Sequence, residues 1–512
     1  MSRSSSVRLA FPRRQVCIHG HFYQPPRENP WTGLIERQES AGNFHDWNER
    51  IAAECYVPNT EARVVGPDEE VLKRVNNYSW ISFNFGPTLM MWLEKSNPKA
   101  YEKIIAADRE SFLRLNGHGN AIAQAFVHLI LPLADPRDQK TVIHWGISDF
   151  KRRFGRAPEA LWLPETACDD QVLKLLIDFK MKYAILAPSQ AERVRLLAPA
   201  GPWKDVSEGS IDPKRPYRWF DPSSERRRFI DLFFYDGPIS AAVSFEKLMS
   251  DSKVCADRII QAFGDLKKDG LVSIATDGEL YGHHHKFAEM GLAYLVDKEL
   301  PSRKIEVVNY GYFLSRRQTE WEVEIKAGPQ GLGTSWSCSH GVGRWFLDCG
   351  CGSEGKSQKW RTPLRQALNV LKSRLDGLTD KAGEGLFKDV WAAREDYGEI
   401  IGGDVPQLPA SFTRRHLLKN SPSELEKARQ LMEMQKFALY MFTSCGWFFS
   451  DIAGLEATQN LKYARRATET AREISGEDFE LEFLEILAQA LGNDLKFPDG
   501  KTVYQNLVRQ SV

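Results

Sequence analysis

Charge of one sign is missing from this sequence: 68 Lys and Arg balance 68 Asp and Glu, and the isoelectric point is about 7.2. Without a whole-chain field to gather phosphates or anionic lipid, neither a nucleic acid nor a membrane surface is expected as a partner. Long hydrophobic runs are missing too. No segment approaches the ~18 uncharged apolar residues of a membrane span, and the opening MSRSSSVRLAFPRRQ has cationic residues with no apolar run behind them. Neither export nor membrane insertion is therefore expected. Cysteine is sparse: eight residues, at positions 17, 55, 168, 255, 338, 349, 351 and 445, show no framework spacing. That excludes a disulfide scaffold and reads as reduced thiols in a cytoplasmic chain.

What remains is an ordinary globular composition, 42% hydrophobic and 27% charged over 512 residues. A chain of this length buries roughly 75% of its unfolded surface and suits one large domain plus an appendage. Fourteen Trp, 15 Tyr and 28 Phe supply flat amphipathic rings, which suit a surface that lies against something flat and hydroxylated as well as a core.

From residue 15 to about 315, short β-branched and aromatic runs alternate with stretches of helical length. The runs are QVCIHGHF (15–22), SWISFNFG (79–86), NAIAQAF (120–126), ALWLPET (160–166), YAILAPS (183–189), RFIDLFF (228–234) and LVSIATDG (271–278). Helices are predicted at 87–115, 136–155, 169–182, 244–267 and 286–300. Near-continuous apolar strands separated by helices are the signature of a parallel sheet buried on both faces, and seven of them predict an α/β fold of the (β/α) barrel type. Residues 1–14 read as a flexible N-terminus, 15–315 as the barrel, and the Gly-, Ser- and Trp-rich 316–359 as a connector forming an irregular lid or a strand pair. Apolar residues at helical spacing make 360–512 a helical C-terminal domain in a supporting role.

Several strands end in polar residues, and in a β/α barrel the carboxyl ends of the strands converge on the face that carries chemistry. Glu165 follows a Trp and a Pro at the end of the fourth run; Asp277, Gly278 and Glu279 end the seventh, followed by His283, His284 and His285. Two acids on converging strand ends are what glycoside hydrolysis requires, one to attack or stabilise the anomeric carbon and one to protonate the leaving oxygen. Taken singly, an Asp-Gly pair is as well explained by a turn and a strand-end Glu by solvation. His19 and His21 share one face of the first strand, and Tyr23, Gln24 and Pro25 turn the chain over it. Such neutral donors suit sugar hydroxyls, although two histidines satisfied in a core would look the same. Cys338, Cys349 and Cys351 cluster in the sequence with His340 among them. Paired C-x-x-C spacing is absent, so a buried turn of structural thiols is expected rather than a zinc site.

These segments resemble glycoside hydrolase family 57. HGHFYQP resembles its opening His-Gln-Pro motif, GHGNAIAQAFVHLILPLA (117–134) its second motif ending in His-x-x-Leu-Pro, ALWLPET its third and IATDGELYG its fourth, all in the family's order. SFNFGPTLMMWL (82–93), WSCSHGVGRW (336–345) and SCGWFFSDIAG (444–454) resemble a bacterial subgroup whose helical C-terminal module has no assigned function. The resemblance implies a seven-stranded distorted barrel, a retaining mechanism on α-linked glucans, Glu165 as nucleophile and Asp277 as general acid/base, with no metal or cofactor. His21, Gln24, His128 and Glu279 would line the subsite of the attacked sugar. The first motif is two residues longer here between His21 and Gln24, so His19 competes with His21 for the aligned position. Trp162, His283, Trp336, His340 and Trp345 complete the candidate substrate-binding set.

The expected function is thus that of an α-glucan hydrolase or transglycosylase of amylase, branching or 4-α-glucanotransferase type, with an α-glucan or maltooligosaccharide as substrate. A metal-dependent polysaccharide deacetylase or mannosidase-like barrel is one rival. A catalytically silent glucan-binding protein is the other.

Overall fold

The structure, a computed structural model, describes residues 12–510 apart from 267, 353–354 and 402–406. Of the N-terminus expected to be flexible, 1–11 lie outside the described residues, and the first strand already begins at Arg14. That strand, Arg14–Phe22, runs parallel to Gly270–Asp277 on one side. On the other side its first half meets Glu306–Val307 and its second half Ser82–Phe85, both parallel. Ala123–Gln124 pairs in parallel with Leu161–Trp162, and Tyr183–Leu186 with Phe229–Phe234. Single parallel bridges, Phe83 to Ala121 and Ala160 to Tyr183, join these pieces.

All seven expected strands are therefore present and their pairings are parallel, but they fall into separate sheets joined by single bridges. No continuous closed ladder runs through them among the described residues. Two of the strands are only two residues long. Leu161–Trp162 stops just before the proline-containing turn Pro164–Thr166, and proline cannot continue the ladder.

Local chemistry also moves the helix boundaries. The helix predicted at 87–115 is two, Pro87–Ser96 and Pro98–Arg114. The break is Asn97, held out of the helical region at φ −143° and ψ 61° because the proline after it clashes with a helical residue there. Asp135 caps Pro136–Phe154, and Gly155 ends it in the left-handed conformation (φ 66°). The stretch predicted as 244–267 is likewise divided into Gly237–Phe245 and Ser252–Phe263, each with an aspartate at its N-cap.

One layer was not anticipated. Tyr183–Leu186 and Phe229–Phe234 continue through Tyr217–Phe220, Trp321–Ile325, Ala191–Leu196 and Lys204–Asp205 into a six-stranded mixed sheet. Part of the expected connector is thus a strand, antiparallel to Ala191–Leu196.

The C-terminal third is helical. Arg361–Gly383 buries Leu364, Ala367, Leu368, Leu371 and Leu375 on one stripe, and Pro422–Tyr440 packs along Leu455–Ser475. The seam with the α/β region is held by charge inside the core. Asp138 of Pro136–Phe154 takes Arg394 at 2.7 Å and Lys372 at 2.9 Å. Arg394 also donates to Gln435 and Thr141, and Trp145 donates to the Arg394 carbonyl. Among the described residues no helix is long and apolar enough to cross a membrane.

Candidate active site

A cleft of about 570 Å³ opens at the carboxyl ends of the parallel strands. Register fixes its floor. His21 pairs with Asp277 across adjacent parallel strands, so both side chains leave the sheet at the same level. Gly278, which follows, is obligatory on steric grounds: a Cβ there would come within 2.4 Å of the Phe22 ring.

Glu165 approaches from the opposite wall. It sits in the turn Pro164–Thr166 with φ 58°, and Thr166 follows at φ 49°. Two consecutive non-glycine residues in the left-handed region store strain, which persists only where surrounding contacts over-determine it. Those contacts come from the connector. Trp336 Nε1 and Ser337 Oγ donate to Glu165 Oε2 at 3.0 and 2.7 Å, and the Trp336 amide donates to the Glu165 carbonyl. Burial raises the Glu165 carboxyl above its ordinary value, while these two donors oppose the rise by stabilising the anion.

Asp277 is placed differently. Among the described residues no donor hydrogen-bonds its carboxyl, which faces the cleft. Its deep position, and then the like charges of Glu165 and Glu279, push it up to about 8. Because the side chain is open to the cleft, water weakens the desolvation part, and the two neighbouring carboxylates are the firmer cause. Glu279 is buried and braced by Gln24 Nε2 at 3.0 Å and by the Tyr56 hydroxyl. Burial raises its carboxyl as well, and these donors again oppose the rise.

The tautomer of His21 follows from the network behind it. His19 Nε2 bonds Asn84 Oδ1 and Ser82 Oγ bonds His19 Nδ1, so the Asn84 amide nitrogen is left to donate to His21 Nδ1 and Gln124 Oε1. His21 therefore carries its proton on Nε2. Burial pushes it down to about 3, which keeps it a neutral donor.

His21, Glu279 and Trp336 line the cleft together with Glu165 and Asp277. The other seven binding candidates do not. His19 lies one layer below His21, fully buried and stacked on Trp162 at 4.7 Å. Trp162 is itself sealed beneath His21 and Trp336. Gln24 is spent on Glu279 and Arg27. His128 stacks under Tyr23 at 4.0 Å and bonds Ser444, so it joins the cleft wall to the helical region. His283 pairs with Glu54. Trp345 is fully buried, its carbonyl taken by Arg365. His340 turns away to the cysteines, 3.5 Å from Cys351 Sγ, and stands with Cys338, Cys349 and Cys351 in one group.

Sequence reasoning missed Ser337, Tyr235, Phe245, Cys445, Phe448 and Phe449, all of which line the cleft. Cys445, Phe448 and Phe449 come from the helical region, which thus contributes part of the cleft wall. The one available signal was the adjacent pair in SCGWFFSDIAG: Phe448 and Phe449 follow the buried Trp447 yet are 37% and 51% exposed.

Comparison with known proteins agrees with this architecture. The structure is similar to an exo-type maltose-forming amylase from Pyrococcus sp. ST04, with a TM-score of 0.69 at 15% identity over 93% of this chain and 82% of that one. It is also similar to a branching enzyme from Thermococcus kodakaraensis, with a TM-score of 0.54 at 15% identity over 98% and 96%. A 4-α-glucanotransferase from Thermococcus litoralis gives a TM-score of 0.52 at 14% identity over 91% and 60%. In sequence, 153 residues are 25% identical to alpha-amylase 1 of Dictyoglomus thermophilum, a match covering 30% of this chain but only 20% of that protein. Residues 357–512 match a domain of unknown function, DUF3536. Residues 19–326 match glycosyl hydrolase family 57, and on that match over more than half its length the chain belongs to this family.

Proposed function

We propose that this protein is a retaining α-glucan hydrolase or transglycosylase working by double displacement, with 15–315 as a distorted seven-stranded catalytic barrel, 316–359 as a connector and 360–512 as a helical domain. The observation that carries the reading is the contrast between the two cleft acids. Glu165 has two donors on one oxygen, and Asp277 has none and faces two like charges. Environments that push two carboxyls apart assign the roles: Glu165 holds the negative charge and Asp277 the proton.

In the first step Glu165 attacks the anomeric carbon. The glycosidic C–O bond breaks, its electron pair leaves on the oxygen, and that oxygen takes the Asp277 proton. In the second step the Asp277 carboxylate takes a proton from an incoming hydroxyl, whose oxygen attacks the same carbon and releases Glu165. His21 Nε2 is a neutral donor for a sugar hydroxyl at this level. Trp336, Phe245, Phe448 and Phe449 give apolar faces on which further glucose rings would lie. With water as acceptor the result is hydrolysis; with a sugar hydroxyl it is transfer.

The test is incubation with maltooligosaccharides, starch and glycogen, products being resolved by size and linkage and the first-formed anomer read by proton NMR. Shortened or re-linked glucans with the α configuration are expected. Early β products, or a bound-state carboxyl separation of roughly 6.5–9.5 Å instead of about 5–5.5 Å, overturn the retaining mechanism.

A further inference from the structure

The connector carries a second cluster, outside the cleft, that the reaction above does not use. Cys338, His340, Cys349 and Cys351 bring one ligand atom each to a common point, all four within 4.8 Å of one another. Cys338 Sγ lies 3.9 Å from Cys349 Sγ and 3.8 Å from Cys351 Sγ, and Cys351 Sγ lies 3.5 Å from His340 Nδ1. A tetrahedral zinc ion with bonds of about 2.3 Å to sulfur and 2.0–2.1 Å to nitrogen requires S–S edges of about 3.8 Å and S–N edges of about 3.6 Å. The three edges match those lengths. They do not match a disulfide, whose sulfurs stand about 2.05 Å apart.

The backbone is built to close this group. Two pairs with a single residue between their members, 338 and 340 on one arm and 349 and 351 on the other, face each other across a reversal. Gly341 and Gly350 take φ 72° and 79°, a conformation that favours glycine. Gly343 lies where a Cβ would stand 3.3 Å from that of Cys349 and 3.6 Å from that of His340.

An independent observation concerns charge. Arg361 is fully buried, with Nη1 4.0 Å from Cys349 Sγ. Its Nε and Nη2 have no hydrogen-bond partner, and it makes no ion pair among the described residues. The Asp348 carboxylate acts on it through space without bonding it, and a buried guanidinium with no bonded counter-charge is costly. Three thiolates and a neutral imidazole around a divalent cation carry one net negative charge, and they place it beside Arg361.

We propose that Cys338, His340, Cys349 and Cys351 bind one zinc ion in a closed structural site. Four protein ligands leave no open position, so the ion stabilises the fold and takes no part in the reaction. Its place gives it a task. Cys338 directly follows Trp336 and Ser337, the two donors to Glu165. Beyond the cluster, Arg365 and Thr362 of the helix Arg361–Gly383 bond the carbonyls of Trp345 and Phe346. Zinc thus clamps the connector between the cleft wall and the helical region. The clamping of Glu165 rests on the role proposed for it above, whereas the metal site does not.

The experiment is metal analysis of the full chain purified without added metal or chelating resin. About one zinc per chain is expected, falling below ~0.2 in Cys349→Ser and Cys351→Ser and unchanged in Cys255→Ala, a buried thiol elsewhere. Iron in place of zinc, zinc retained in full by Cys349→Ser, or less than ~0.1 zinc per chain even after incubation with equimolar zinc overturns the site. Should the serine variants fail to fold, cobalt(II) exchanged into the wild-type protein must give the thiolate charge-transfer and tetrahedral d–d bands; their absence is equally fatal. Amide exchange of 335–347 should rise when the metal is stripped while 270–277 stays protected. Unchanged exchange at 335–347 overturns the clamp without touching the chemistry assigned to the cleft.

Discussion

Asp138 and Asp277 are the same side chain in one molecule, the first buried at a seam and the second open to the cleft, and they are shifted in opposite directions. Asp138, at the seam between the α/β and helical regions, is surrounded by Lys372 and Arg394, whose charges and hydrogen bonds outweigh its burial and hold it below the ordinary carboxylate value. Asp277 has carboxylates where Asp138 has cations and is pushed up to about 8. A carboxylate kept for structure is neutralised; one kept for proton transfer is left unneutralised, at a standing cost in stability. Substitutions at the two places should therefore differ in kind.

The largest effect is expected at Glu165. Glu165→Gln removes the nucleophile proposed above and should cost at least ~10⁴-fold on every substrate, whatever the leaving group. Asp277→Asn should cost about 10²–10⁴-fold on a glucan, whose alkoxide needs a proton, and far less in the first step on an activated aryl glucoside. A burst of phenolate with an adduct on the Glu165 peptide, seen by mass spectrometry, is the expected signature. If Glu165→Gln gives the burst instead, the two roles must be exchanged. In the parent enzyme kcat/KM should decline as pH rises through about 8, where Asp277 loses its proton.

Truncation before residue 361 removes Lys372 and Arg394 together and strips apolar cover from Trp145, so insoluble protein is expected. A soluble, active 1–360 fragment would show that the seam is dispensable. Asp138→Asn alone leaves two buried cations short of their partner and should destabilise by about 3–5 kcal/mol in urea titration. The pH dependence has a definite sign. Asp138 is depressed in the folded state, so its contribution is present above about pH 4 and lost on further acidification.

The smallest effect sharpens the contrast most. Asp277 is raised in the folded state, so the folded protein holds a proton there that the unfolded chain has released between about pH 4 and 8. Stability therefore falls with rising pH across that window. Asp277→Asn should leave the protein at neutral pH more stable by up to ~1 kcal/mol, a gain limited by water screening in the cleft. Equal destabilisation by both asparagine variants would mean that the two sites do not differ as described.

The strand runs, both acids and His21 were legible in the sequence because each depends on local pattern: apolar runs of strand length and polar residues at their ends. His128, His283 and Trp345 were misplaced because a motif or a neighbouring residue does not show which way a side chain turns after a strand ends. The mixed sheet was hidden because AERVRL and YRWF are short and carry charged residues that break the apolar runs by which the other strands were recognised. His340 was assigned to sugar rather than sulfur because its thiol partner Cys351 is 11 residues away across a reversal that spacing does not reveal.

Glu165 also has a schedule. Its carboxylate is held by residues 171 and 172 positions further along the chain, and His128 under the cleft wall bonds a serine 316 positions on. At a synthesis rate of roughly 5–20 residues per second, the nascent Glu165 waits on the order of ten seconds or more for its donors to leave the ribosome. The emerging α/β region thus passes through a period in which the Glu165 carboxylate exists without its hold, and the cleft wall is assembled only after the residues that brace it have been made.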